Sequence, residues 1–246
     1  VIGLEAGSAE AGRRLRFLTW NLAMFERADG APADWDQHRT EAAVRETILD
    51  LAPDLVLFQE LPGLVPYVET HDMVRANPRS HSGNLATMVT HRIMDQQPTP
   101  LVVTRTALLT TFPDFGLTVA NVHLSPGRGA ATERLHQLRV VADASPTDNL
   151  VIIGDTNIRQ AEVGAIVELG LCDHTPPSAT WDSRRNRFRP DGAAFVAYFT
   201  RVFSRGAVTV DNQRVLDDRP FEVDGRCFFL SDHFALAGTI ELGDQR

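Results

Sequence analysis

The chain has 246 residues, 43% of them hydrophobic and 23% charged, with a formal net charge of −8. That length and apolar content suffice for a sizeable core in one layered domain, and they exclude a disordered, collagen-like or repeat architecture. Bulk charge gives a nucleic-acid partner no help, so any phosphate contact has to come from local arginines.

Taken in chain order, Leu15–Trp20 is a short β-rich apolar run, followed to Asp36 by a loop rich in Gly, Pro and Asp. Trp35–Leu51 has helical spacing, with Ala43, Val44, Thr47, Ile48 and Leu51 on one stripe and Pro53 as its stop. Asp54–Phe58 is a compact apolar strand. Leu85–Val89, Leu101–Thr104, Ala107–Thr111 and Leu117–Val122 are further predicted strands. A second helix is predicted over Ala130–Ala144, with Leu135, Leu138, Val141 and Ala142 inward. Leu150–Ile153 is another continuous apolar strand, Gln160–Leu169 a short helix, and Tyr198–Phe203 and Phe234–Ile240 the last strands. Runs such as Leu-Val-Ile-Ile imply sheets covered on both faces, hence α/β or α+β layers.

All 24 basic residues are arginine, which fits a GC-rich bacterial source. Cys172 and Cys227 adjoin apolar, strand-like sequence and are expected as buried, reduced thiols. No stretch approaches the ~20 apolar residues needed to span a bilayer. Val1–Gly12 lacks a basic leader with an apolar segment. The expectation is a cytoplasmic monomer, with residues 1–14 as a flexible tail and 15–246 as a single domain.

Polar residues recur at the ends of these strands. Asn21 follows Leu-Thr-Trp, Glu60 follows Leu-Phe-Gln, and His123 follows Ala-Asn-Val. Asp155 and Asn157 follow Ile-Ile-Gly, while Asp232 and His233 precede Phe-Ala-Leu. Alone, each reads as a turn, a cap or a solvated loop residue. Together they are three carboxylates, two carboxamides and two imidazoles on rigid platforms. An oxygen-rich set of this kind suits Mg²⁺ and phosphoryl transfer.

Thr19-Trp20-Asn21, Gln59-Glu60, Gly154-Asp155-Thr156-Asn157 and Ser231-Asp232-His233 resemble, in order, the signature motifs of the endonuclease/exonuclease/phosphatase superfamily. The resemblance runs from about Leu15 to Leu242. Gly154–Arg159, the stretch from His123-Leu124 through Arg128-Gly129 to Glu133-Arg134 and Gln137-Leu138, and Thr180-Trp181-Asp182 are most similar to the 5′-tyrosyl-DNA phosphodiesterases.

The resemblance implies a four-layer α/β/β/α sandwich of two packed mixed sheets flanked by helices. It implies Glu60 as principal Mg²⁺ ligand, aided directly or through water by Asn21 and Asp232, with Mn²⁺ as a substitute. Asp155 would orient or deprotonate the attacking water, and Asn157 would support both Asp155 and the phosphate. His233 and His123 would contact the scissile phosphate, and attack would be in line, without a covalent intermediate. Arg128 and Arg159 are either phosphate contacts or surface ion pairs, and Trp181 is either a stacking platform or a wall of the core. Arg184, Arg185, Arg187 and Arg189 form a solvated loop or a phosphate-steering lid.

Thr200 stands where the family places an Asp that pairs with the last His. That leaves His233 to Thr200 or to another partner such as Asp191, Asp217 or Asp218. The segment between Glu60 and His123 is also short. The first reading is therefore hydrolysis of a phosphodiester at a DNA 5′ end, including a phosphotyrosyl adduct, as in DNA repair. The alternatives are a small phosphorylated metabolite as substrate, in a biosynthetic pathway or otherwise, and a catalytically altered or inactive member with a binding role.

Overall fold

A computed structural model describes residues 14–62, 66–75, 84–189, 194–217 and 220–243. Its elements run β1 (Arg14–Asn21), α1 (Gln37–Leu51), β2 (Leu55–Gln59), β3 (His71–Arg75), β4 (Ala86–Thr90), β5 (Thr99–Thr104), β6 (Ala107–Phe112) and β7 (Leu117–His123). They continue α2 (Ala131–Ala144), β8 (Asn149–Asp155), α3 (Val163–Val167), β9 (Cys172–His174), β10 (Trp181–Asp182), β11 (Val196–Ala197) and β12 (Thr200–Arg205). The last are β13 (Val208–Val215), β14 (Phe221–Val223), β15 (Arg226–Phe228) and β16 (Leu236–Leu242).

Two six-stranded sheets carry the fold, in the orders β13-β16-β1-β2-β4-β3 and β5-β6-β7-β8-β12-β9. Each has one parallel pair, β1 with β2 and β7 with β8, and every other ladder in them is antiparallel. Read from opposite ends, the two sheets therefore have the same direction pattern, with β2 and β1 in one matching β7 and β8 in the other.

Strand alternation sorts the apolar residues into layers. Leu15, Phe17, Leu55 and Leu57 of the first sheet meet Leu117, Val119, Val151 and Ile153 of the second in a shared core. The other face of the first sheet, with Leu18, Trp20, Val56 and Phe58, packs on Ala43, Val44 and Ile48 of α1. The other face of the second, with Ala120, Val122, Leu150 and Ile152, packs on Leu138 and Val141 of α2 and Ile166 of α3. This is the expected four-layer sandwich.

Helix α1 starts at Gln37 rather than Trp35, because the Asp36 side chain caps it by accepting from Arg39 N–H at 2.9 Å. Ala52 ends it in a left-handed conformation, ahead of Pro53. The predicted helix over Gln160–Leu169 is reduced to a 3-10 turn at Gln160–Glu162 and the five residues of α3. In α2 the buried stripe is Arg134, Gln137, Leu138, Val141 and Ala142, so Leu135 is only partly covered.

Strands β3, β9–β11 and β13–β15 were not expected from the sequence. In β13 burial alternates, and a bulge at Asp211–Arg214 with left-handed Asn212 hides the strand period. Both cysteines are unpaired as expected, but exposed rather than buried. Cys172 heads the edge strand β9, and Cys227 lies on the outward face of the isolated β14–β15 hairpin. No helix among the described residues is long and apolar enough to cross a membrane.

Candidate active site

Between the sheets, the inward-facing positions turn polar toward one end. Thr19, Asn21, Gln59, Asn121, Asp155 and Thr200 are all buried there. Gln59 Nε2 donates to Asn121 Oδ1 at 2.8 Å and to Thr19 Oγ1 at 3.0 Å. Asn121 Nδ2 in turn donates to the carbonyls of Phe58 and Ala86. These bonds occupy both amide nitrogens and tie the sheets together just below the strand ends, while Gln59 Oε1 has no partner among the described residues. Gly154, with φ +141°, leaves room here: an added Cβ would collide with the Val122 carbonyl of the neighbouring strand and lie 3.0 Å from Gln59 Nε2 of the other sheet.

Four strand ends deliver the upper layer. Asn21 lies beside Gln59 at the ends of the parallel pair β1 and β2, and His123 beside Asp155 at the ends of β7 and β8. Asn21 Oδ1 accepts from Ala23 N–H at 3.0 Å, which turns its amide nitrogen toward two carboxylates. That nitrogen donates to Asp155 Oδ2 at 2.9 Å and to Glu60 Oε1 at 3.1 Å. Asp155 Oδ2 also faces both imidazoles, with His123 Nε2 and His233 Nε2 each 3.6 Å away. Its other oxygen accepts Asn157 N–H at 3.1 Å. Asn157, left-handed at φ 52°, donates its amide to the Leu124 carbonyl and so joins the loops after β7 and β8.

The final motif is pinned to β1. Ser231 Oγ donates to the Asn21 carbonyl at 2.6 Å and accepts His233 N–H, and Trp20 Nε1 donates to the His233 carbonyl. Asp232 has Arg189 Nε 3.4 Å away. Burial raises the Asp232 carboxyl above its ordinary pKa; His233 and Arg189 pull it down, while Glu60 and Asp155 push it further up.

Asn21, Glu60, His123, Asp155, Asn157, Asp232 and His233 thus come together from separate strands and loops. Trp181 sits edge-on to the His233 ring at 4.8 Å, and stacks on Phe195 at 5.6 Å. Arg159 lies over Phe199 at 5.4 Å, and Phe199 is 6.3 Å from His233. Arg128 is exposed on the 3-10 turn Arg128–Ala130. Neither Arg128 nor Arg159 has an ion pair with a described carboxylate. The Arg184–Arg189 loop differs. Arg184 pairs with Asp182, Arg185 with Asp217, and Arg189 with Glu26 and Asp232.

Thr200 lies opposite Asp155 in the β8–β12 ladder and is fully buried. Its N–H donates to Thr180 Oγ1, but its own hydroxyl has no partner among the described residues, and neither has His233 Nδ1. Asp217 serves Arg185, while Asp191 and Asp218 lie outside the described residues.

Two arginines hold the site's loops: Arg134, which the sequence offered only as part of a motif and with no role, and Arg201, which it did not single out. Arg134, fully buried, pairs with both oxygens of Glu162 at 2.9 and 2.7 Å and donates to the Ser125 and Gly127 carbonyls at 2.8 Å. It fastens the loop after His123 to the loop after Asn157. Arg201, also buried, donates to Tyr198 O, Asp173 and Gln160, and burial lowers its pKa. The spacing of Arg134 and Gln137 with Leu138 and Val141 on one stripe was the available signal.

A divalent cation suits this donor set. Among the described residues no three His, Cys, Asp or Glu side chains already stand as a ligand cage. However, Mg²⁺ needs only one or two carboxylates plus substrate oxygen and water. Glu60 and Asp155 are drawn together by one amide, and the upward push they exert on Asp232 marks the concentrated negative charge.

Comparison with known proteins agrees with this fold. Two curated relatives are tyrosyl-DNA phosphodiesterase 2 of Danio rerio, 31% identical over 147 residues, and that of Homo sapiens, 31% identical over 137 residues. These matches cover 52% and 49% of this chain but only 39% and 37% of the relatives. A crystal structure of the D. rerio enzyme (TDP2) complexed with single-strand DNA product is 23% identical, with a TM-score of 0.67 over 93% of this chain and 99% of that one. An endonuclease/exonuclease/phosphatase structure from Beutenbergia cavernae DSM 12333 is 20% identical, with a TM-score of 0.60 over 94% of this chain and 72% of that one. The endonuclease/exonuclease/phosphatase family pattern matches residues 18–233, nearly the whole chain, and the protein belongs to that family.

Proposed function

We propose that residues 15–246 form one catalytic domain that hydrolyses a phosphodiester by in-line attack of water, at a DNA 5′ end or a phosphotyrosyl adduct of one. The observation that carries this reading is Asp155 Oδ2, held by Asn21 and facing both imidazole Nε2 atoms at 3.6 Å. A phosphate set before these groups meets two ring nitrogens able to donate to its oxygens. Asp155 accepts a proton from the attacking water while the Asn157 N–H steadies its second oxygen. The water oxygen bonds to phosphorus, the ester P–O bond breaks, and the departing alcohol oxygen takes a proton from solvent. Glu60, with Asn21 and Asp232, would hold Mg²⁺ or Mn²⁺. The bound ion would neutralise charge on the phosphate. Arg159, on the face of Phe199, and Arg128 remain available for substrate phosphates. DNA as the polyanionic arm follows the wording shared with TDP2, whose D. rerio structure holds a DNA product.

A small phosphorylated metabolite is the second reading. It is favoured by the pairing of Arg184, Arg185 and Arg189 with carboxylates, which removes most of the loop's charge from a long polyanion. Hydrolysis with Mg²⁺ or Mn²⁺ separates the two. The panel is a 5′-phosphotyrosyl oligonucleotide, plain single- and double-stranded DNA and phosphorylated metabolites, with Asp155→Ala as blank. Metal-dependent tyrosine release supports the first reading and activity only on small esters the second. Silence with retained metal binding would return the chain to a binding role.

A further inference from the structure

Beside Glu60 and His123 the surface opens into a cavity of about 400 Å³, walled otherwise by Met24, Asn84, Thr106, Leu124, Ser125 and Pro126. Trp181, Arg128 and Arg159 do not line it.

Its chemistry differs from that of the phosphate-facing side. Among its described lining residues Glu60 and His123 alone are ionisable, and none is an arginine. A second phosphate placed there would meet a carboxylate and, among the described residues, no permanent cation, an unfavourable exchange for a desolvated anion. Met24, Leu124 and Pro126 supply apolar wall, and Asn84, Thr106 and Ser125 neutral polar groups. A mostly apolar concavity with a few fixed polar groups is what an uncharged organic group requires.

Met24 reaches this wall through an unusual turn. Ala23, Met24 and Phe25 all have left-handed φ, at 46°, 55° and 54°. That conformation costs a non-glycine residue roughly 1–2 kcal/mol. It is held by Ala23 N–H on Asn21 Oδ1 at 3.0 Å and Met24 N–H on the Glu60 carbonyl at 2.9 Å. Asn84 Nδ2 then contacts Met24 Sδ at 3.6 Å. Three strained residues in a row, anchored to two site residues, indicate that the thioether's position is used. A thioether also packs well on an aromatic ring.

We propose that this cavity is the subsite for the uncharged aryl arm of the phosphodiester, the anionic arm lying on the Arg159–Phe199 side. The assignment of arms rests on the phosphodiesterase reading; the binding of a neutral aryl group does not.

The test uses protein carrying ¹³C-methyl methionine at Met24, Met73, Met88 and Met94, titrated with N-acetyl-tyrosinamide, a neutral phenol. The Met24 methyl resonance shifts saturably and the other three stay still; no saturable shift, or equal shifts at all four, overturns the proposal. In parallel, thymidine 5′-(p-nitrophenyl phosphate) is hydrolysed with Mg²⁺ by the unaltered protein and by Met24→Ala. The variant raises KM about tenfold with kcat within about twofold, the loss expected when a side chain packing on the aryl group is removed. An unchanged KM in a folded Met24→Ala counts against the subsite. If the ester is not cleaved but the Met24 methyl still reports the phenol, the hydrolytic reading falls and the aryl site stands. If the ester is cleaved while the Met24 methyl stays silent, hydrolysis stands and the aryl site falls.

Discussion

The two sheets present their site residues in different ways. At the rim of the first, Ala23, Met24, Phe25 and Glu60 all hold left-handed backbone, although none is a residue type suited to it. Few side-chain bonds secure them, chiefly those of Asn21. At the rim of the second, Gly154 and Asn157 take the unusual conformations, and both types tolerate them. There Arg134 and Arg201, both buried, fasten the loops with four bonds each. The first rim stores strain next to the carboxylate Glu60, while the second is over-determined by polar clamps. Substitution in the first should change function at little cost in stability, and substitution of a clamp in the second should do the reverse.

Asp155→Ala, which removes the group shared by both rims, is expected to lower kcat by about 10³ or more while the chain stays folded. A loss under tenfold in steady-state hydrolysis would remove Asp155 from the proton path. Arg134→Met should cost about 3 kcal/mol in denaturant unfolding, because Glu162 and two carbonyls lose their buried partner. A change below about 1 kcal/mol would mean that the second rim is less dependent on its clamp than its bonds imply. Glu60→Ala should weaken Mg²⁺ binding by roughly 10–100-fold in calorimetric titration with little change in unfolding midpoint. Equal metal affinity would take Glu60 out of the metal site and erase the contrast between the rims.

Thr200→Asp is expected to raise kcat by about tenfold, by giving a carboxylate to His233 Nδ1, which has no partner among the described residues. Lower or unchanged kcat would show that this site has adapted to the hydroxyl. The smallest effect concerns acid stability. Burial lowers the pKa of His71 from 6.5, opposed by its bond to Pro53 O and by Asp54. The stability it contributes is present above the unfolded value and is lost as pH falls through the lowered folded value. His71→Gln should flatten the stability–pH curve below pH 6.5, and an unaltered slope there would assign the acid sensitivity elsewhere, His174 being the next candidate.

The sequence was most legible where pattern and chemistry agree. Leu-Val-Leu-Phe before Gln59-Glu60 and Leu-Val-Ile-Ile before Gly154-Asp155 are buried strands whose ends carry the site. It was least legible where tertiary packing reverses a residue's usual preference. Arg134 and Arg201 are expected outside by type, and only the loops folded over them explain their burial. Cys172 and Cys227, expected inside by type, sit outward on short edge and hairpin strands. Thr200 could be recognised as the odd residue, but that neither its hydroxyl nor His233 Nδ1 has a partner among the described residues needed three dimensions.

The ladder of β1 with β16 has a consequence for how the molecule assembles. The second sheet takes its strands from the middle of the chain, Thr99 to Arg205, so its contacts close comparatively short loops. The first sheet has the chain's first described strand beside its last, a loop closure of more than two hundred residues, with Arg14 opposite Glu241. Closures of that span come at the greatest entropic disadvantage and slow folding. On the ribosome, β1 and β2 emerge early and wait with one flank bare until β16 follows, an aggregation hazard for an apolar strand. His233 arrives with that last strand, so the imidazole joins Asn21 and Asp155 only as the final ladder forms. A partly made chain therefore cannot carry an assembled site.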